Sequence, residues 1–215
     1  TYKKAYEDIH ELLVKDLLNT EGLSPYYHVT MPLGKYSYSK HNVCSGSYTS
    51  PAPSPSSAPS PSSSTSPTPS PTPTPTPTTI YYINGSKIDQ LLGTLEQKIK
   101  DFENAIKNFE NAVTQYVNNM PGTGDNQAYE IQWWVKMNNA VNSGSNSPHL
   151  SVMKAADSML DAYAKAQAIY DCDEKRDPPS DWSSRLSQLS SRVSELHNKY
   201  LASSISSSTQ YGKAV

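Results

Sequence analysis

Residues 51–79 are built almost only from Pro, Ser, Thr and Ala, and they close on a strict Pro-Thr alternation from Pro71 to Pro77. No packed core can form from such a run. Each proline lacks an amide donor and fixes φ at about −65°, and each residue before a proline is pushed toward extended geometry. The remaining side chains offer little apolar area to bury. The expected state is polyproline II, extended and bathed in solvent. At about 3.1 Å per residue the tract would span roughly 90 Å.

The tract contains no charge, and nearly every non-proline position carries a hydroxyl. That is the composition of an O-glycosylated stalk outside the cell. Thr68, Thr72, Thr74, Thr76 and Thr78 are the candidate acceptors. In composition the tract resembles the Pro-Thr and Pro-Ser stalks of bacterial surface proteins, algal hydroxyproline-rich glycoproteins and some algal-virus proteins. The likeness is confined to this tract and implies sugar attachment and surface exposure.

A spacer of this kind divides the chain. The expected organisation is an N-terminal helix and Tyr-rich anchoring arm over 1–48, the stalk over 49–86, a helical bundle over 87–202 and a flexible tail over 203–215. Net charge is −2, with basic and acidic residues interspersed, which argues against a nucleic-acid partner. No apolar run approaches the roughly 18 residues of a membrane span. The chain starts at Thr1, as a processed or truncated chain does, so the lack of a visible signal peptide says nothing about compartment.

The strongest periodic signal follows the tract. Ile88, Leu92, Leu95, Ile99, Phe102, Ile106, Phe109, Val113, Tyr116 and Met120 recur at 4-3-4-3 spacing, and both phenylalanines of the protein lie on this seam. Its middle repeats itself, as Asp101-Phe-Glu-Asn-Ala-Ile-Lys and then Asn108-Phe-Glu-Asn-Ala-Val-Thr. The spacing predicts one unbroken helix over 87–119, about 50 Å long, with coiled-coil-like packing. Shorter helices are expected over 126–142, over 149–176 with Ser147 as cap and Pro148 in the first turn, and over 181–202. Met153, Ala156, Leu160, Tyr163 and Tyr170 would share one face of the third. Four helices on short loops read as an all-α, up-down four-helix bundle. A further amphipathic helix is expected over 3–19, followed by the arm with Tyr26, Tyr27, Tyr36, Tyr38 and Tyr48.

Cys44 and Cys172 are the two cysteines. A disulfide between them suits an extracellular chain, and two free thiols are the alternative. Asn84-Gly85-Ser86 is an N-glycosylation sequon. Little else suggests chemistry. Phosphate-cradling glycine loops, nucleophile elbows and zinc-helix motifs are all missing, and His41-x-x-Cys44 lacks two further ligands. No catalytic group, cofactor or metal site is expected.

Aromatic residues are the remaining candidates for recognition. Trp133 and Trp134 are adjacent, so one helix face cannot bury both. Trp134 fits the core face, while Trp133 projects toward a flank, where it can stack on a sugar or enter a partner's pocket. With Tyr26, Tyr27, Tyr36 and Tyr38 it makes up the candidate partner-binding set. The sequence therefore suggests a non-enzymatic structural protein of an extracellular or virion surface. Its stalk would link an anchoring segment to a bundle that associates with itself or another protein. The alternative is a carbohydrate-binding module using exposed Trp and Tyr. With the stalk extended, the first 48 residues are expected to contact a different molecule.

Overall fold

The computed structural model describes residues 31–51, 76–118, 135–136, 139–141 and 144–202. The expected helix over 3–19, Tyr26, Tyr27, Thr68, Thr72, Thr74, Trp133, Trp134 and the tail lie outside the described residues. The elements are α1 (Lys40–Val43), β1 (Gly46–Ser50), β2 (Thr78–Asn84), α2 (Gly85–Asn118), α3 (Pro148–Gln167), β3 (Glu174–Arg176) and α4 (Trp182–Tyr200).

The heptad seam forms the long helix. From Ile88 to Val113 every seam position is buried, and Phe102 and Phe109 are fully so. Ion pairs lace the outer face, with Lys100 on Glu96 at 2.9 Å and Lys98 on Asp101 at 3.1 Å. α3 begins where Pro148 presets φ, and the Ser147 side chain accepts from the Leu150 amide at 3.2 Å. Its buried Val152, Ala156, Met159 and Leu160 pack on α2. α4 covers another flank, with Tyr200 edge-on to Phe102 at a centroid distance of 6.1 Å. Arg192 bridges α4 to α2, its guanidinium donating to Glu103 at 2.7 and 2.5 Å. Of the helix expected over 126–142, residues 135–136 and 139–141 are described as helical, and Val141 is buried.

The all-α expectation is overturned. Among the described residues the structure is mixed, mostly helical with a three-stranded sheet, rather than an all-α four-helix bundle. The strand order is β1-β2-β3, with β1 antiparallel and β3 parallel to β2. Residues 78–86, assigned above to the stalk, supply the central strand and the helix start. Thr-Thr-Ile-Tyr-Tyr-Ile is β-branched and aromatic throughout, and alternation sends Ile83 fully into the core while Tyr82 and Asn84 face outward. α3 also ends earlier than expected, at Gln167, because the chain must turn through 168–173 to reach β3. Tyr170 leaves the helix in that turn and is 48% exposed instead of lying on the core face.

The pairing changes the meaning of the Pro/Ser/Thr tract. Ser50 pairs with Thr78, and Thr49 with Thr79. The two ends of the tract are therefore neighbouring rungs of one antiparallel ladder. A loop with both ends at one place reaches at most roughly 40 Å, about half the end-to-end span of a spacer. The described part of the arm, from residue 31 on, is correspondingly held on its own chain. The Met31 amide donates to the Leu201 carbonyl at 3.2 Å, and residues 33–44 run along α3 to the disulfide between Cys44 and Cys172. Residues 31–48 thus pack against the helical body that the spacer geometry would have set apart from them.

Gly85 marks where strand becomes helix. A Cβ built there would lie 2.0 Å from the Asp177 carbonyl oxygen, and Asp177 itself sits at φ 47° before Pro178. Because the obstacle is backbone, the neighbour cannot rotate away. Gly85→Ala is expected to cost about 1–3 kcal/mol, measured by denaturant unfolding. An unchanged midpoint would show that the junction is looser than this close approach implies.

Candidate functional site

Two surfaces stand out, and the disulfide joins them. Cys44 follows α1 at the foot of β1, and Cys172 lies in the turn between α3 and β3, with Cα atoms 5.8 Å apart across 128 residues of sequence. Cys172 is 2% exposed. The bond holds the hairpin stem to the helical body.

The first surface is the outer face of the sheet beside the tract. Residues paired across strands share a face, so Tyr48, Tyr82, Glu174, Arg176 and Asn84 line up on it. The Arg176 guanidinium lies 3.7 Å over the Tyr82 ring and 5.3 Å from the Tyr48 ring centroid. It also donates to Glu174 at 3.0 Å, and the Tyr48 hydroxyl donates to the same carboxylate. The Tyr48 hydroxyl first, and then Arg176, hold the Glu174 carboxyl below its ordinary range. The start of β3 is tied by Asp173, which accepts the Tyr81 amide at 2.8 Å and both 3.1 Å contacts from Lys40. The Tyr81 amide first, and then Lys40, keep the Asp173 carboxyl low.

The second surface is an open groove of about 490 Å³ between the arm and the C-terminal end of α3. Tyr36, Tyr38, Tyr163 and Tyr170 contribute the rings, with Gln167 and Asp171 adding polar edges. Sequence reasoning selects Tyr36 and Tyr38 for a foreign partner, yet their hydroxyls donate to Asp157 (2.7 Å) and Asp161 of α3. Lys35 also pairs with Asp157, and Lys165 with Asp161 at 2.7 Å. Both carboxyls lie low, Asp157 through Lys35 and then Tyr36. For Asp161, burial works the other way and is outweighed by Lys165 and Tyr38. The bonded carboxylates push both phenols up. Those two rings are walls of the groove fixed by their own chain. The freer ring is Tyr170, tilted against Trp182 at 5.4 Å. Periodicity conceals it by placing it in the core.

These ion pairs imply a pH response. A carboxyl held low in the folded chain stabilises that state above its unfolded value, and the contribution is lost as pH falls through the folded value. Asp157, Asp161 and Asp173 all lie below the ordinary 3.8. The arm is therefore expected to stay docked at pH 5 and to loosen only well into the acid range, below about pH 4. Amide exchange of residues 33–44 against those of α2 measures this. Release of the arm near neutral pH would contradict the assignment.

Thr76 and Thr78 are exposed, with Thr78 in the first rung of β2. His41, read above as half a metal motif, lies edge-on to Tyr81 at 4.6 Å, while its would-be co-ligand Cys44 is oxidised. No described helix is long and apolar enough to cross a membrane. No protein-family model, curated protein or solved structure matches the chain.

Proposed function

We propose that the chain is a non-enzymatic structural protein of an extracellular, cell or virion surface, displaying an O-glycosylated Pro/Ser/Thr loop from a disulfide-locked platform. The observation that carries this reading is the Ser50–Thr78 pairing with Cys44–Cys172 at the stem. Hairpin loops are usually 2–5 residues. A loop about three doublings longer costs roughly 2 kcal/mol more to close, and the disulfide and the Asp173 clasp offset that cost. The tract's uncharged Pro/Ser/Thr composition is the kind that glycosyltransferases modify outside the cell. The helical body associates with a second copy or another protein.

Antibody raised against the tract tests location, applied to intact cells or particles and then to permeabilised ones. Labelling of the intact sample is expected. Labelling confined to permeabilised samples would contradict a surface role.

One observation favours the second reading, carbohydrate binding. The groove presents an exposed Tyr170 ring beside Gln167 and Asp171, the combination of flat apolar face and planar polar edge that stacks on and orients a sugar. Tyr170→Ala leaves the buried core untouched. It would abolish capture on immobilised neutral oligosaccharides if this reading holds, and change nothing if the groove only seats the arm.

A further inference from the structure

We propose that Asn84 carries an N-linked glycan whose first sugar rests on the Tyr82–Arg176 platform. This rests on passage through a secretory lumen and goes beyond the display of the tract. Asn84 lies at the opposite end of β2 from Thr78, so its sugar is spatially separate from those of the loop.

Three observations carry the assignment. First, Asn84 and Ser86 are both exposed, while the residue between them is the buried Gly85. Gly85 is accounted for by its contact with the Asp177 carbonyl; the two residues a glycosyltransferase reads are the ones packing does not require. Second, Asn84 immediately precedes α2, where asparagine is ordinarily explained as a helix cap accepting an N2 or N3 amide. Here the described structure gives its side chain no such bond. Its backbone amide donates to Ser45 Oγ at 3.0 Å, and its backbone pairs with Arg176 across the parallel ladder. The capping explanation for asparagine is thus not realised, and the residue is exposed. Third, residues i and i−2 of a strand share a face. Tyr82 therefore lies next to Asn84, and Arg176, paired with Asn84 across the parallel ladder, is stacked on Tyr82 at 3.7 Å. An aromatic ring capped by a planar guanidinium is a flat amphipathic shelf suited to the apolar face of a pyranose.

The donor is a lipid pyrophosphate-linked oligosaccharide. Asn84 Nδ2 attacks its anomeric carbon. The C1–O bond breaks with its electron pair leaving on the pyrophosphate, the C1–Nδ2 bond forms, and Nδ2 gives up one proton to the transferase. No oxidant or reductant is involved.

The test uses the full chain secreted from a glycosylating eukaryotic host, and the native protein alongside. Treatment with peptide N-glycosidase in heavy-oxygen water converts a glycosylated asparagine to labelled aspartate. Label at position 84 is expected, absent in Ser86→Ala and retained in Ser86→Thr. Unlabelled Asn84 in chains whose Cys44–Cys172 bond and loop sugars are present would overturn the inference alone. Free thiols and a bare loop in the native protein would instead overturn the surface reading beneath it. For the platform, the glycosylated form is expected to melt above the enzymatically trimmed form, with the difference lost in Arg176→Ala. An undiminished difference in that variant would remove the platform from the proposal.

Discussion

Replacing Cys44 by serine and Cys172 by alanine together is expected to cost about 2–5 kcal/mol, the range for removing a native disulfide. The two residues close 128 positions of chain, and in the chain-entropy account longer loops gain most from cross-linking. The loss should be local in its first expression. Residues 31–50 meet the body through the disulfide, the buried Met31 and Val43, the Met31–Leu201 backbone bond, the clasp of Lys40 on Asp173 and the tyrosine–aspartate bonds along α3. With the disulfide gone, the stem relies on the buried Met31 and Val43, the β1–β2 ladder and side-chain bonds to α3, among which the exposed ion pairs are worth little each. Amide exchange in β1 and β2 should therefore accelerate far more than in the α2 seam. Uniform acceleration across α2, α3 and the sheet would mean that the hairpin and the helical body unfold as one unit, and that the stem is not a separately anchored device.

Truncating Phe102 or Phe109 to alanine is expected to cost about 3–5 kcal/mol each, as for fully buried phenylalanines. Both rings are completely enclosed. Phe102 meets Tyr200 edge-on, and Phe109 lies 6.0 Å from the His149 ring. Phe102→Ala removes one of the contacts joining α2 to α4, whereas Phe109→Ala opens space between α2 and the start of α3. Denaturant midpoints measure both. A cost below about 1 kcal/mol at either site would show that the neighbouring helix collapses into the space, or that the seam is not the centre of the core.

The long helix is legible in the sequence because its signal is local and repeated. A seam that returns every three or four residues from Ile88 to Val113 admits one period, and burial follows it residue by residue. The sheet is not legible, for three physical reasons. β3 is Glu-Lys-Arg, residues with weak strand preference, and it is ordered by register against Tyr82, Ile83 and Asn84 rather than by its own composition. The β1–β2 hairpin is closed by the Pro/Ser/Thr tract, while sequence signals for hairpins rely on short turns. Composition also masks β2, whose Thr78 and Thr79 continue the tract's alphabet directly into the strand. One misreading leads to another. With β2 unseen, the tract becomes a spacer, and the first 48 residues are assigned a distant partner, although Lys35, Tyr36 and Tyr38 of that segment bond to α3. At the candidate surfaces, Tyr36 and Tyr38 do line a groove, but their hydroxyls serve their own chain. Tyr170 is lost when helical periodicity is extended past Gln167, where the helix stops.

The central claim, a loop that matures outside the cell on a disulfide-locked stem, can be read from one peptide map. Trypsin cuts after Lys40 and Lys87, and no Lys or Arg lies between them; it also cuts after Lys165 and Lys175. Without reduction, fragment 41–87 therefore travels with fragment 166–175 if Cys44 and Cys172 are bonded. The same fragment contains the whole tract and Asn84. Mass spectrometry of this digest from the native protein is expected to show the linked pair, heavier than its amino-acid sequence by whole sugar residues on the tract. Two separate fragments with free thiols, and 41–87 at its unmodified mass, would contradict the account.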